Sequence, residues 1–314
     1  MKIIISEFMD DAAVDQLRTR FGASSIVYDA TLVDRPAEMA IAVTDCDAFI
    51  VRNRTQVRGD LLAACKRARV IGRLGVGLDN IDVAACEARG MKVIPATGAN
   101  ALAVAEYVIA SAMMLRRASY HSTVDVASGK WPRNKLSIGH ETAGATIGLV
   151  GFGSIGQLTA SIAHGVGMKV IACDPALADD HSAWSPDSSS GGASRVTFDE
   201  LIAMSDVISL HVPLLDATKN LFNAQRIAAM KRGAVLINTA RGGIIDELAL
   251  AGALKNGHLG GAAIDVFANE PLSASDIFAN CPNLILTPHI AGVSAEANVR
   301  VSSMIAEAVI RELG

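Results

Sequence analysis

Three segments in the second half of the 314-residue chain each place a charged or titratable residue after an apolar run. Arg241 lies in LINTARGGIIDE, Glu270 in IDVFANEPL and His289 in LILTPHIAG. An imidazole titrates near neutrality and can act as a general base, and a carboxylate can hold its tautomer and favour its protonated form. A guanidinium can clamp a carboxylate through two parallel hydrogen bonds. This set predicts oxidation of a 2-hydroxy acid by hydride transfer, with His289 as base, Glu270 as its partner and Arg241 as the carboxylate clamp.

Each of these residues also has an ordinary structural interpretation. A histidine at a strand end can be structural or solvated, a glutamate before a proline can simply lie in a loop, and an arginine before two glycines can cap a helix. His211, in SLHVP, also follows a predicted strand and is the alternative candidate for the base. The catalytic interpretation requires that the three segments meet at one edge of a sheet. The predicted strands and helices around them therefore determine whether this interpretation is possible.

Short apolar runs alternate with helical patterns along the whole chain. The predicted strands are KIII (2–5), AFIV (48–51), RVIGRL (69–74), KVI (92–94), TIGLV (146–150), KVIAC (169–173), VISLHV (207–212), AVLIN (234–238), GAAIDV (261–266) and LILTP (284–288). Continuously apolar strands separated by helices are typical of parallel α/β sheets that are buried on both faces. Ligands bind beyond the carboxyl ends of such strands, where the three charged segments lie.

The spacing of the predicted strands indicates two units. The first four strands precede a glycine-rich motif by a wide margin, which suggests a separate α/β unit of about a hundred residues. A predicted helix at roughly 294–312 could return to that unit and make it discontinuous. We therefore predict one domain from residues 1–99 and 291–314 and a second from residues 100–290.

The glycine-rich motif GLVGFGSIGQ carries the pattern G-x-G-x-x-G. It follows the predicted strand TIGLV, opens a helix and precedes the strand KVIAC, after which Asp174 lies 18 residues beyond the last glycine. The turn predicted to bind a pyrophosphate comprises Gly151, Gly153, Ser154, Ile155 and Gly156. Its glycines permit a tight turn, a close approach of the backbone and close helix packing, and the helix N-terminus attracts the phosphates.

Asp174 would bind the ribose hydroxyls of a dinucleotide. No basic residue stands beside it to meet a 2′-phosphate, so NAD is favoured over NADP. The alternative is a glycine-rich turn with an aspartate that caps a helix.

Composition excludes several other classes. A net charge of −4 and 4% aromatic residues argue against nucleic-acid binding. The N-terminus lacks a signal-peptide pattern, and no uncharged run reaches the ~18 residues of a membrane span. The apolar stretch 101–115 contains Glu106 and predicts a buried helix.

Five scattered cysteines predict neither disulfides nor a metal site and fit a reducing, cytoplasmic compartment. The segment 182–194, rich in Ser and Gly, predicts a surface loop.

The segments VGFGSIGQ, NTARGGIIDE, AIDVFANEP and TPHIAG, in this order and spacing, resemble the D-isomer-specific 2-hydroxyacid dehydrogenases. The likeness covers nearly the whole chain, including GRLGVGLDNIDV and GKWPR. It implies two Rossmann-like, doubly wound parallel-sheet domains, a flavodoxin-like substrate domain and an NAD-binding domain, with the active site in the cleft between them. It implies a homodimer formed through the helix that starts at about 101 and the segment around Trp131. The chain is expected to be a short form without a regulatory domain.

The resemblance also implies roles for individual residues. Arg241, Glu270 and His289 match the catalytic residues of the family, and Asp265 matches the residue that holds the nicotinamide amide. Further residues implied to contact NAD are His211, Val212, Pro213, Thr239, Ala240, Arg241 and His289. Residues predicted to bind the substrate are Arg52, Asn53, Arg54, Val76, Gly77 and Arg241.

The segment VRNRT (51–55) bears on the identity of the substrate. Relatives often have Arg-Ser-Arg-Thr here, and Asn53 replaces the serine. If the preceding strand persists, alternation points Arg52 and Arg54 the same way, which suits a second anion on the substrate. The alternative is a solvated basic loop.

A narrower likeness, carried by ISEFMDDAAVDQL, DATLVD, VRNRTQV and HETAGATIGLVGFG, is to bacterial members that oxidise (S)-3-sulfolactate to 3-sulfopyruvate with NAD. The substrate is therefore expected to be a small, dianionic 2-hydroxy acid. Oxidation of 3-phosphoglycerate, or reduction of hydroxypyruvate and glyoxylate, is the alternative on the same machinery. A more distant alternative is an NADH-sensing corepressor that binds peptides.

Overall fold

The computed structural model describes residues 1–118, 122–185, 191–274 and 277–314. These residues form two compact units, Met1–Asn100 with Val293–Gly314, and Ala101–Gly292. Each unit contains one parallel sheet with helices between its strands, which confirms the predicted α/β class. The loop predicted at 182–194 lies partly outside the described residues.

The first unit contains a five-stranded parallel sheet. Its strands are β1 (Ile3–Ile5), β2 (Ile26–Tyr28), β3 (Ala48–Val51), β4 (Val70–Arg73) and β5 (Lys92–Pro95), in the order β2-β1-β3-β4-β5. This is the order of flavodoxin-like sheets. Strand β2 was not predicted, because it is a three-residue edge strand in which only Ile26 is buried.

Five helices cover this sheet within the described residues. They are α1 (Asp11–Phe21), α2 (Pro36–Ala42), α3 (Gly59–Ala64), α4 (Val83–Ala88) and the C-terminal helix (Ala295–Leu313). The C-terminal helix packs against α1 and β4 and buries an apolar stripe that includes Val301, Ile305 and Val309. The apolar residues that recur with the 3.6-residue helical period therefore form part of the core of the first unit.

The second unit contains a seven-stranded parallel sheet within the described residues. The strands are β6 (Thr146–Val150), β7 (Lys169–Cys173), β8 (Ser194–Arg195), β9 (Val207–Leu210), β10 (Val235–Asn238), β11 (Gly261–Ile264) and β12 (Leu284–Leu286). Their order is β12-β11-β10-β9-β6-β7-β8, so the winding reverses between β6 and β9. Ligands of doubly wound sheets bind at such a reversal, beyond the carboxyl ends of the strands.

The helices of the second unit lie between and beside these strands. They are α5 (Ala101–Arg117), α6 (Ser122–Ala127), α7 (Arg133–Leu136), α8 (Ser154–Gly165), α9 (Phe198–Met204), α10 (Ala224–Ala229) and α11 (Glu247–Lys255). Helix α5 packs against α8, β10 and β11, and it buries Val104, Val108 and Leu115. Within the described residues, no helix has the length and apolarity needed to cross a bilayer.

Several strands end earlier than their apolar runs predict. Strands β9, β11 and β12 end at Leu210, Ile264 and Leu286, so Asp265, predicted to lie inside a strand, follows β11 instead. The two-residue edge strand β8 was not predicted. The apolar runs are longer than the strands because residues beyond the last strand hydrogen bond are still buried. Val266 and Phe267, which follow β11, are examples.

Candidate active site

The second sheet brings the residues that follow its strands into one line. The register pairs Val150 with Leu210, Leu210 with Asn238, Asn238 with Ile264, and Ile264 with Leu286. The next residue of each strand therefore stands in what we term the edge row: Gly151, His211, Thr239, Asp265 and Thr287. Sequence reasoning placed the first four at the site, and Thr287 was missed.

The glycine turn after β6 has the geometry that a dinucleotide requires. Gly151 has φ +91°, and a Cβ there would lie 2.6 Å from the carbonyl oxygen of His211. A Cβ on Gly156 would lie 2.6 Å from the carbonyl oxygen of Gly151, whereas a Cβ on Gly153 would meet open space. Helix α8 begins at Ser154 without a side-chain cap, so its first N–H groups, including that of Ile155, face that space.

Asp174 holds the same turn from the end of β7. Its Oδ2 accepts the N–H of Phe152 at 2.8 Å, and its Oδ1 accepts the N–H of Ala176 at 2.9 Å. The N–H of Gly151 donates to the carbonyl oxygen of Cys173 at 2.9 Å. Asp174, which is predicted to bind a ribose, therefore also shapes the glycine turn, and the sequence pattern did not show this second role.

His289 and Glu270 form a hydrogen-bonded pair. Nδ1 of His289 lies 2.7 Å from Oε2 of Glu270, and Oε1 of Glu270 accepts the N–H of Phe267 at 3.0 Å. Burial works to raise the pKa of Glu270, but these two bonds, the charge of His289 when its ring is protonated and the charge of Arg241 lower it below its ordinary value. An ionised carboxylate only accepts hydrogen bonds, so Nδ1 carries the proton and Nε2 keeps a lone pair for a substrate hydroxyl.

The backbone of His289 is held in an unusual conformation. Its φ is +58°, in the left-handed region that non-glycine residues rarely adopt. Its N–H donates to the carbonyl oxygens of Asp265 and Thr287 at 2.8 and 3.0 Å. The buried carboxylate of Asp265 accepts the N–H groups of Ile290 and Ala291, each at 2.8 Å. Asp265 thus fixes the histidine and the two residues that follow it.

Arg241 is placed by the turn that follows β10. The buried side chain of Asn238 donates to the carbonyl oxygen of Arg241 at 2.9 Å and accepts the N–H of Ala240 at 3.0 Å. A Cβ on Gly242 would lie 1.8 Å from the carbonyl oxygen of Phe267. Only glycine lets this turn pack against the loop that carries Glu270, so the two predicted catalytic segments meet.

Two buried polar atoms of the edge row have no hydrogen-bond partner among the described residues, Nε2 of His211 and Oγ1 of Thr239. Burial lowers the pKa of His211 to about 4, so the ring is neutral at physiological pH and a weak base. Orphaned polar atoms are costly unless a ligand satisfies them. Together with the open glycine turn, they fit a bound dinucleotide. Val212 and Pro213 follow in the same loop.

In the first unit, the two arginines of VRNRT have different partners. Nη2 of Arg52 donates to Oδ1 of Asn298 at 2.7 Å, and its guanidinium lies 5.8 Å from the ring centre of Phe8. Exposed Arg54 forms an ion pair with Asp34. Strand β3 ends at Val51, so the alternation argument for a common direction of the two side chains does not apply. Asn53 is exposed.

One buried carboxylate shapes this arginine loop, residues 52–55. Oε1 of Glu7 accepts the N–H groups of Arg52 and Thr55 at 2.8 and 3.0 Å, and Oε2 accepts that of Arg54 at 3.1 Å. Nδ2 of buried Asn80 donates to the carbonyl oxygens of Arg52 and Thr55 at 2.9 and 2.7 Å. Glu7 therefore occupies three of the four amides of this loop, those of Arg52, Arg54 and Thr55. Sequence reasoning missed both residues.

The other predicted substrate residues, Val76 and Gly77, follow β4, which pairs with β3. Both are half-buried. Asn80 in the same segment bonds to the arginine loop, so the segments after β3 and β4 are tied together. Burial lowers the pKa of the Arg52 guanidinium below its ordinary value, which marks a partly desolvated cation suited to an anion.

Comparison with known proteins agrees with this geometry. The profile of the D-isomer specific 2-hydroxyacid dehydrogenase NAD-binding domain matches residues 109–291. (S)-Sulfolactate dehydrogenase of Chromohalobacter salexigens is 49% identical over 99% of this chain and 98% of its own length. D-3-phosphoglycerate dehydrogenase 2 of Arabidopsis thaliana is 38% identical over 98% of this chain, which spans 48% of that relative.

The solved structures agree as well. D-Lactate dehydrogenase of Aquifex aeolicus, crystallised with NAD and lactic acid, superposes with a TM-score of 0.84 at 26% identity, covering 98% of this chain and 94% of that one. The fold and the edge row define an NAD-dependent oxidoreductase. The chain belongs to the D-isomer specific 2-hydroxyacid dehydrogenase family.

Proposed function

We propose that the protein oxidises (S)-3-sulfolactate to 3-sulfopyruvate with NAD. The observation that carries this proposal is the 49% identity to a sulfolactate dehydrogenase over nearly the full length of both chains. The desolvated guanidinium of Arg52 supports a second anionic group on the substrate. The residue roles that follow are part of the proposal.

In the proposed mechanism, Nε2 of His289 removes the hydroxyl proton of the substrate. Glu270 stabilises the imidazolium that forms, because its carboxylate accepts the Nδ1 proton at 2.7 Å. Arg241 binds the carboxylate of the substrate and orients C2. When bound, NAD supplies the nicotinamide ring that accepts the hydride from C2, which leaves the 2-oxo acid.

The cofactor residues divide between the two ends of the dinucleotide. Gly151, Gly153 and Gly156, with the N–H groups of Ser154 and Ile155, would bind the pyrophosphate. Around the nicotinamide end we place the loops 211–213 and 239–241. Asp265 already accepts three hydrogen bonds, and its Oδ2 has room for one more, from the carboxamide.

Replacing Asp174 with alanine is expected to weaken NAD binding and reduce the preference for NAD over NADP. The carboxylate would no longer accept from the ribose hydroxyls or repel a 2′-phosphate, and the N–H of Phe152 would lose its acceptor. The ratio of kcat/KM for the two cofactors measures this. Exposed Asp180, six residues further along, gives the matched control Asp180→Ala. If the ratio of kcat/KM for NAD and NADP is unchanged in Asp174→Ala, another residue must bind the ribose hydroxyls.

Replacing Arg52 with alanine is expected to raise KM for (S)-3-sulfolactate about tenfold or more, since a hydrogen bond to a charged group contributes roughly 1.5–3 kcal/mol. D-Lactate lacks the second anion and so makes no such hydrogen bond with Arg52. Its KM should therefore change by less than about threefold. Arg54→Ala is the matched control, because Arg54 is exposed and paired with Asp34. Equal effects of Arg52→Ala on both substrates would exclude Arg52 from binding the second anion.

The alternative substrates are supported by other relatives. Hydroxypyruvate reductase of Thermotoga maritima is 39% identical over 88% of this chain, and the phosphoglycerate dehydrogenase noted above also matches. A panel of (S)-3-sulfolactate, D-3-phosphoglycerate, hydroxypyruvate and glyoxylate, followed by NADH absorbance, separates them. Faster turnover of phosphoglycerate would contradict the sulfolactate assignment. Tight NADH binding without turnover of any compound would favour the corepressor-like alternative.

We further propose a homodimer formed through the second unit. Large apolar side chains are exposed along residues 101–138 of that unit: Met113, Met114, Val124, Trp131 and Ile138. Burial of such side chains against a second copy would stabilise the pair.

The five cysteines form no disulfides, which supports our assignment to the cytoplasm. The net charge of −4 supports small-molecule partners rather than nucleic acid.

A further inference from the structure

A hydrogen-bonded chain connects helix α5 to the edge row. The hydroxyl of Tyr107 lies 2.6 Å from Oγ1 of Thr287, and Oγ1 of Thr287 donates to Oδ1 of Asp265 at 2.6 Å. The direction of the first bond follows from the second. Thr287 has a single hydroxyl proton, which it gives to an ionised carboxylate that can only accept, so Tyr107 must donate to Thr287.

The far end of this chain is the segment that carries His289. The same carboxylate that receives the Thr287 proton accepts the N–H groups of Ile290 and Ala291, and the carbonyl oxygen of Asp265 accepts the N–H of His289. The left-handed backbone of His289 persists only while the bonds around it hold. Tyr107 is thus linked through Thr287 and Asp265 to the bonds that constrain the histidine and the two residues after it.

We propose that Tyr107 is a positioning residue for His289, acting through Thr287 and Asp265. The inference rests on the proposed role of His289 as the base. The phenol of Tyr107 donates its proton to Oγ1 of Thr287. The O–H of Thr287 cannot point towards this donor, so it points towards Asp265. The carboxylate then keeps three donors, which balance its buried charge and hold residues 289–291 in place.

Removing the phenol oxygen loosens this arrangement without removing the ring. In Tyr107→Phe, the aromatic ring is retained, but Oγ1 of Thr287 loses its donor and its hydroxyl gains freedom to rotate. The donor to Asp265 is then weaker, and the imidazole samples orientations that are not productive. We expect kcat to fall about fivefold to tenfold, the scale of one buried hydrogen bond, while the Kd for NADH stays within about twofold.

The experiment compares Tyr107→Phe, Thr287→Val and the double variant in the intact chain. If Tyr107 acts through Thr287, Tyr107→Phe lowers kcat in the wild-type background and has no further effect in Thr287→Val. Thr287→Ser keeps the hydroxyl and should retain most of the activity. Tyr28→Phe is the matched control, because the phenol of Tyr28 donates to the carbonyl oxygen of Met9 at 3.0 Å in the first unit. It should leave kcat unchanged.

A readout without turnover completes the test. In protein with ¹⁵N-labelled histidine and no cofactor, the imidazole signals of His289 are assigned by their loss in His289→Ala. Tyr107→Phe should shift or broaden these signals, and Tyr28→Phe should not. Normal kcat and unchanged His289 signals in Tyr107→Phe, or full additivity with Thr287→Val, would overturn the inference. Normal turnover in His289→Ala would instead refute the proposed function, so the two failures are distinct.

Discussion

Replacing His289 with alanine is expected to lower kcat/KM about 100-fold or more, the usual scale for the loss of a general base. Among the described residues, His289 is the only histidine that pairs with a carboxylate, through the 2.7 Å contact of its Nδ1 with Oε2 of Glu270. The variant removes this imidazole. No other group then receives the hydroxyl proton, and the charge of Glu270 is left without its partner. Steady-state NADH formation with (S)-3-sulfolactate measures the loss.

Binding of the cofactor separates a chemical effect from misfolding. The Kd for NADH in His289→Ala should stay close to the wild-type value, because the glycine turn lies on β6 and α8. His140→Ala is the matched control, since His140 is an exposed histidine of the same unit. Near-normal turnover in His289→Ala would place the base elsewhere. His211 would be the next candidate, although burial lowers its pKa to about 4.

Replacing Glu7 with alanine is expected to destabilise the first unit by about 2–4 kcal/mol. Three N–H groups, those of Arg52, Arg54 and Thr55, lose their only carboxylate acceptor, and each unsatisfied buried group costs roughly 1–3 kcal/mol. Water that enters the vacated space should recover part of this cost. The arginine loop would also lose its shape, so KM for an anionic substrate should rise together with the loss of stability.

Urea unfolding can assign the Glu7→Ala effect to one unit. Both tryptophans, Trp131 and Trp184, lie in the second unit, whereas far-UV circular dichroism reports on both. The dichroism midpoint should fall while the tryptophan midpoint falls less. The matched control is Glu38→Ala, an exposed carboxylate of the first unit paired with Arg35, which should change the free energy of unfolding by under about 0.5 kcal/mol. A wild-type unfolding curve for Glu7→Ala would show that the loop does not depend on this carboxylate.

All ten predicted strands are present, because apolar runs bounded by turn residues are local signals. The edge strands β2 and β8 were missed because two or three residues are too few to show a pattern. Asp265 was placed in the correct segment but inside a strand, since its burial makes it look like a core position.

The sequence by itself determined most of the local elements and which segments carry the charged residues near strand ends. The strand–turn–helix unit with its three glycines, the aspartate after β7, and the order of Arg241, Glu270 and His289 are properties of neighbours along the chain. Such properties follow from backbone conformation, periodicity and turn chemistry, all of which act over a few residues.

Only the tertiary structure decided which distant groups bond to one another. Glu7 binds the amide of Arg52 from 45 residues away, and Tyr107 reaches Thr287 across 180 residues. Neither residue was assigned a role by its local sequence, and each could have been an ordinary surface acid or core aromatic. Hydrogen bonds of this kind depend on how sheets and helices pack, because packing alone fixes the distance and direction between donor and acceptor. The residues proposed to react could therefore be named from the sequence, while those that hold them in place required the fold.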